Sequence, residues 1–260
     1  MDLGLGGKRV LVTGASRGIG YSISEHFLQE NADVFLVARN EDRLYKTEEK
    51  FNKQFGKKRA RSQTCDCANP DDLKKLRTSV KASWGNLDIV VANVGDGQSV
   101  SDPIPCKNEW EKTWDSNFET ALQTARTFLP MLQESHGCLL FISSITAFEA
   151  FGAPVDYSTA KAAIVAFSKN LARKVADKVR VNVLAPGNIY FPGGSWDKKI
   201  HEDPVKIELM IKDSVPMKRF GTPKEIADAG VFFMLKSCLV YYRLGFYDKW
   251  RSDSRNLLNE

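Results

Sequence analysis

Short runs of apolar, β-branched residues alternate along this chain with longer stretches whose apolar positions recur at helical spacing. The runs Arg9 to Thr13, Asp33 to Ala38, Leu87 to Ala92, Gly137 to Ser143 and Val179 to Leu184 predict strands buried on both faces, because polar alternates are sparse in them. Between them, Gly18 to Glu30, Glu41 to Phe55 and Tyr157 to Ala176 predict helices, and a longer stretch after Leu87 to Ala92 runs to Gln133. Strand and helix repeated with short connections predict a single-domain, doubly wound α/β fold over residues 1–236, its parallel sheet covered by helices on both faces. The segment Pro186 to Trp196, rich in glycine, proline and aromatics, interrupts the alternation and predicts a ligand-facing lid over residues 188–217.

With 43% hydrophobic and 27% charged residues, the composition excludes disordered, collagen-like and low-complexity classes. The net charge of +5 is scattered except at Lys57, Lys58, Arg59 and Arg61, a patch that suits a solvated surface better than a nucleic-acid groove. No N-terminal stretch has the order of a signal peptide, and the longest apolar runs fall far below a roughly 20-residue span. The expectation is a cytoplasmic protein with no nucleic-acid and no membrane partner. Cys65 and Cys67 lack the second ligand pair of a structural zinc, and His26, His136 and His201 show no ligand spacing, so buried thiols and no metal are expected.

Directly after the first strand comes Thr13-Gly14-Ala15-Ser16-Arg17-Gly18-Ile19-Gly20, which opens a helix. Glycines at the carboxyl end of a strand let the backbone turn tightly and approach a pyrophosphate, whose charge is met by the free N–H groups of the helix start. The alternative is a tight turn with no ligand. An acid at the end of the second strand would favour NAD, but that strand ends Val37-Ala38-Arg39-Asn40. Arg39 and Arg17 offer two forked donors for a 2′-phosphate, so the expected cofactor is NADP.

Tyr157 and Lys161 stand at i and i+4 of one predicted helix, hence on one face. A phenol ionises near pH ~10, and a neighbouring ammonium lowers that value toward the range useful for general acid-base work. Ser144, at the end of the strand that begins at Cys138, is placed to polarise a carbonyl; the alternative is a decorated helix surface. Together, Thr-Gly-x-x-x-Gly-Ile-Gly near the start, Ile142-Ser143-Ser144, Tyr157 with Lys161, and Ala185-Pro186-Gly187 resemble the short-chain dehydrogenase/reductase family, and most nearly its beta-ketoacyl-carrier-protein reductase branch. The similarity runs from about Leu5 to Phe233 and implies a Rossmann-type sheet.

The resemblance implies an NADP-dependent oxidoreductase acting on a small-molecule carbonyl or secondary alcohol. Tyr157 would be the acid, Ser144 would orient the oxygen, Lys161 would hold the nicotinamide ribose and depress the tyrosine, and Asn117 would order a water. Cofactor contacts would come from Gly14, Ser16, Arg17, Gly18, Ile19, Gly20, Arg39, Asn40, Asp66, Cys67, Asn93 and Gly95. Tyr157, Lys161, Pro186, Gly187 and Ile189 would complete them on the nicotinamide side. The alternative is a catalytically impaired or nucleotide-binding-only protein of the same fold.

Three departures qualify the resemblance. Ala92 replaces the first asparagine of Asn-Asn-Ala-Gly, which implies a cost in stability. The family's threonine after Pro-Gly is replaced within Asn188 to Trp196, where Phe191 and Trp196 either wall the substrate or pack the lid down. Residues 237–260 form an atypical tail. Back-translating Ser237 to Asn256 and starting one base later reads PASSITGSGFMINGGLTRG, which resembles the family's closing strand, and the single codon of Trp250 forces one of its glycines. A frameshift near Leu235 to Ser237 is therefore set against a divergent native tail. The dimer or tetramer that the family implies is in doubt with such a tail.

Overall fold

The computed structural model describes residues 3–100 and 102–234, so the tail from 237 onward, and the frameshift reading of it, lie outside the described residues. Six parallel strands form one sheet: β1 (Arg9–Thr13), β2 (Asp33–Ala38), β3 (Ala60–Thr64), β4 (Ile89–Ala92), β5 (Cys138–Ile142) and β6 (Arg180–Leu184), in the order β3-β2-β1-β4-β5-β6. The chain reverses its direction of growth between β1 and β4, and open α/β sheets bind ligands at that switch point, beyond the carboxyl ends of the strands.

Side chains of each strand alternate between two cores. Val10, Val12, Val34, Leu36, Val91 and Leu140 pack with α1 (Gly18–Gln29), α2 (Glu41–Phe55) and α9 (Pro223–Phe232) through Ile23, Phe27, Phe51 and Val231. Leu11, Phe35, Val90, Leu139 and Phe141 pack on the other face with α3 (Pro70–Trp84), α5 (Thr120–Ser135) and α6 (Val155–Val175) through Leu76, Phe128 and Ile164. Both faces being covered explains why the strands read as continuous apolar runs. β3 is the exception, since its sequence Ala-Arg-Ser-Gln-Thr is half-buried at a sheet edge and carries no such run.

The long stretch before Gln133 resolves into α4 (Lys107–Trp114), a π-helical turn Asp115–Glu119, and α5. After β6 the segment 188–217 holds α7 (Ser195–Glu202) and α8 (Pro204–Ser214). Cys65 and Cys67 are buried free thiols, as is Cys138, while Cys106 is exposed. Among the described residues no helix is long and apolar enough to cross a membrane.

Candidate active site

The first element of the site is the turn between β1 and α1. Gly20 has to be glycine, because a Cβ there would lie 2.4 Å from the Gly14 carbonyl oxygen and 2.5 Å from Asn93 Nδ2. Arg17 is the helix N-cap in an extended conformation with no side-chain cap bond, and no acid stands in the first turn of α1. The helix start thus presents its N–H groups and positive dipole end without a protein anion to neutralise them, which fits a dinucleotide phosphate. Ser16 flanks this turn half-buried, and Ile19 turns its side chain to the core.

Asn93 stands directly under this turn. Its amide donates to the carbonyls of Thr13 (3.0 Å) and Gly14 (3.4 Å), and its backbone N–H donates to Thr13 Oγ1 (3.0 Å). The side chain braces the turn from β4. The Cys67 thiol is buried and pushed up by a hydrogen bond with Cys65 and by burial, which leaves its backbone for a ligand contact. Asn40 accepts from Arg43 N at 2.9 Å and caps α2, and Asp66 accepts from Ala68 N at 3.0 Å in the turn after β3. Arg39 is exposed at the end of β2. Arg17, also exposed, donates from Nη1 to the Gly193 carbonyl at 2.7 Å, so its guanidinium is turned to the lid.

The second element gathers the expected reaction residues. Ser144, buried just past β5, stands close enough to the Tyr157 phenol to pull its ionisation down. It also accepts from Thr146 Oγ1 at 3.0 Å and from Thr146 N at 3.3 Å as the cap of a 3-10 turn, Ile145–Ala147. Lys161 Nζ lies 5.8 Å from the Tyr157 ring centroid and donates to the Ile142 carbonyl at 3.2 Å. Ser143 Oγ donates to the Lys161 carbonyl at 2.8 Å and fastens α6 to β5.

The electrostatics differ from the sequence expectation. Burial pushes the Tyr157 phenol above its usual value near 10.0, Ser144 pulls it back, and the charge of Asp96 pushes it further up. Lys161 is aimed at a backbone carbonyl and does not offset burial, so the expected lowering of the tyrosine is absent here. Burial takes Lys161 itself from 10.5 down to about 8. Between those values the unfolded chain binds the more protons, so this group's contribution to stability is fully present above pH ~10.5 and lost as pH falls through ~8. Lys161→Met, which removes the buried ammonium, is expected to raise the unfolding free energy at neutral pH by roughly 2 kcal/mol. Urea unfolding at pH 7 and pH 10.5 checks this: the gain shrinks at the higher pH, and an equal gain at both contradicts it.

Asn117, fully buried in the π-helical turn, accepts from Asp96 N at 3.1 Å and donates to the Asp96 and Thr113 carbonyls, each at 3.0 Å. Such turns concentrate at functional sites because the extra residue re-aims a side chain. Gly95 lets this approach occur, since a Cβ there would meet Lys161 Nζ at 2.7 Å and Asn117 Oδ1 at 2.9 Å. Two acids were missed by sequence reasoning. Asp96 is the charge beside Tyr157, and the buried Asp156 accepts from Tyr157 N at 2.8 Å and Ser99 Oγ at 2.5 Å. Their adjacency to Gly95 and Tyr157 was the available signal.

On the lid side, Pro186 is buried, its carbonyl accepting from Ile145 N at 3.1 Å, and Gly187 is exposed beside it. Ile189 forms a bridge with Gly221. Trp196 packs on Phe220 at 5.4 Å between ring centroids, with Lys199 Nζ 4.7 Å from its own. Phe191 lies against Gly18. Phe191 thus packs on the glycine turn, and Trp196 on the segment just before α9. Among the described residues no three His, Cys, Asp or Glu side chains converge as a metal cage.

Residues 8–196 match a family model described as short chain dehydrogenase. The chain is 31% identical over 234 residues to the 3-oxoacyl-acyl-carrier-protein reductase FabG of Chlamydia pneumoniae, covering 89% of this chain and 91% of that protein. Glucose 1-dehydrogenase of Gluconobacter oxydans is 33% identical over 236 residues, 87% of this chain and 84% of its own. L-sorbose reductase from Gluconobacter frateurii, solved in complex with NADPH and L-sorbose, superposes with a TM-score of 0.85 at 31% identity, covering 92% of this chain and 94% of that one.

Proposed function

The chain belongs to the short-chain dehydrogenase family of oxidoreductases, and from that premise we propose that it interconverts a small-molecule carbonyl and a secondary alcohol with NADP(H). The observation that carries the reading is the gathering of buried Ser144 and Lys161 with Tyr157, Lys161 Nζ lying 5.8 Å from the Tyr157 ring centroid, at the same strand ends as the uncapped start of α1. The nicotinamide, when bound, supplies or accepts the hydride. In reduction Tyr157 donates its proton to the carbonyl oxygen, and Ser144 holds that oxygen by a hydrogen bond. The upward push on the phenol keeps it protonated at neutral pH, the form an acid needs.

Lys161 Nζ, free to exchange its Ile142 bond for the hydroxyls of the nicotinamide ribose, orients that ring toward Tyr157. Asn117 holds the loop at Asp96 and would order a water that passes protons toward solvent. The N–H groups from Ser16 to Gly20 hold the pyrophosphate, Asp66 and the Cys67 backbone the adenine, and Pro186, Gly187 and Ile189 the nicotinamide side.

Arg17 and Arg39 read the 2′-phosphate, and the NADPH complex of the sorbose reductase supports this choice. The test is the ratio of NADPH to NADH affinity in single variants. Arg39→Ala and Arg17→Ala are each expected to lower that ratio about tenfold, the worth of one charge-assisted hydrogen bond. An unchanged ratio in both variants contradicts the assignment.

A further inference from the structure

We propose that Phe191 is the gate of the phosphate turn: the lid strap 190–194 has to lift its ring from Gly18 before a dinucleotide can seat at the start of α1. This rests on the dinucleotide-binding reading above. A Cβ built on Gly18 would stand 2.6 Å from Phe191 Cζ and 2.8 Å from both Cε atoms, so the ring lies flat in contact with the turn. Gly18 is the first residue of α1, the helix end whose N–H groups lack a side-chain cap. The ring therefore covers, from the lid side, the place where an anion is attracted most strongly.

The strap is a built structure. Tyr190 O–H and Gly193 N–H both donate to the Asp197 carboxylate, at 2.9 and 2.8 Å, and Gly194 N donates to the Phe191 carbonyl at 3.0 Å. Tyr190 N and Gly221 N fasten its foot, to the carbonyls of Gly221 (3.0 Å) and Asn188 (2.9 Å). The bonds to Asp197 and within Phe191–Gly194 stay inside the strap and α7 and survive if these lift together, while the Gly221 pair anchors the strap's foot beside the start of α9, so the strap hinges there. The recorded ties to the glycine turn are of another kind: the Phe191 ring on Gly18, and Arg17 Nη1 on the Gly193 carbonyl at 2.7 Å. A 2′-phosphate offers Arg17 a charge-assisted partner in place of that carbonyl. Once this tie is exchanged, the apolar contact of Phe191 alone keeps the turn covered.

If only a fraction of molecules has the strap lifted, the apparent on-rate is reduced by that fraction, and removing the ring restores it. The experiment is rapid mixing with NADPH, followed by energy transfer from tryptophan, on wild type, Phe191→Ala and Phe191→Leu, each checked for an unchanged melting profile. Phe191→Ala is expected to raise the association rate about tenfold, which gives an open fraction of about one tenth in the wild type, with Phe191→Leu in between. An unchanged association rate in both variants overturns the gate. So does a faster dissociation rate alone, which would make the ring a cover that holds bound dinucleotide. Failure of the wild type to bind NADPH at all overturns instead the dinucleotide reading on which the gate rests.

Discussion

Replacing Tyr157 by phenylalanine is expected to lower kcat/KM for carbonyl reduction about a thousandfold, the middle of the range for a positioned general acid. NADPH affinity should stay within about twofold of wild type, because the substitution removes one oxygen and leaves the ring in place. The hydroxyl beside the phenol, that of Ser144, keeps its bonds from Thr146 in the variant. The loss is therefore expected in kcat rather than in binding or folding. Steady-state kinetics beside a dinucleotide titration separate the two, and a fall of less than about tenfold would remove Tyr157 from the role of acid.

Gly20→Ala is expected to damage the fold as well as the site. The added methyl would stand 2.4 Å from the Gly14 carbonyl oxygen, 2.9 Å from the Gly14 carbonyl carbon and 2.5 Å from Asn93 Nδ2. None of these is the loose end of a flexible side chain, since Gly14 is backbone and Asn93 is held on two carbonyls. Relief requires α1 to shift away from β1, and α1 packs into the core through Ile23, Phe27 and Leu28. A cost of about 3 kcal/mol is expected. For a chain of this size that is a drop of about 10 °C in Tm. NADPH should at the same time stabilise the variant less than it stabilises wild type, because the phosphate turn itself is displaced. Thermal unfolding with and without NADPH measures both; a variant with wild-type Tm would mean that the helix and turn are not as closely packed as described.

Much of this could be read before any coordinates, and the parts that could not share a cause. Strands buried on both faces announce themselves by continuous apolar runs, so β1, β2, β4, β5 and β6 were legible. β3 was not, because an edge strand of Ala-Arg-Ser-Gln-Thr needs no apolar run to satisfy its single neighbour. The glycine turn, Ser144, Tyr157 and Lys161 were legible because each depends on local spacing at a strand end or along one helix face. What spacing cannot carry is the outcome of competition between distant partners. Asn93 spends its amide on Thr13 and Gly14, and Arg17 spends its guanidinium on Gly193, which is 176 positions away. Phe191 on Gly18 is a contact of the same long-range kind. The Tyr157 ionisation was misjudged for a related reason: proximity of an ammonium was legible, whereas its aim at Ile142 and the depth of burial were not.

The central claim is that the strand ends around β1 and β4 hold NADP(H) beside Tyr157. Its most direct test is a fluorescence titration of the purified chain with NADPH, run beside NADH at the same fixed salt. Saturable binding with a clear preference for NADPH is the predicted result, since Arg17 and Arg39 provide for a 2′-phosphate and no acid ends β2 to hold a free ribose hydroxyl. Equal affinity for the two dinucleotides would contradict the cofactor assignment, and binding of neither would contradict the site.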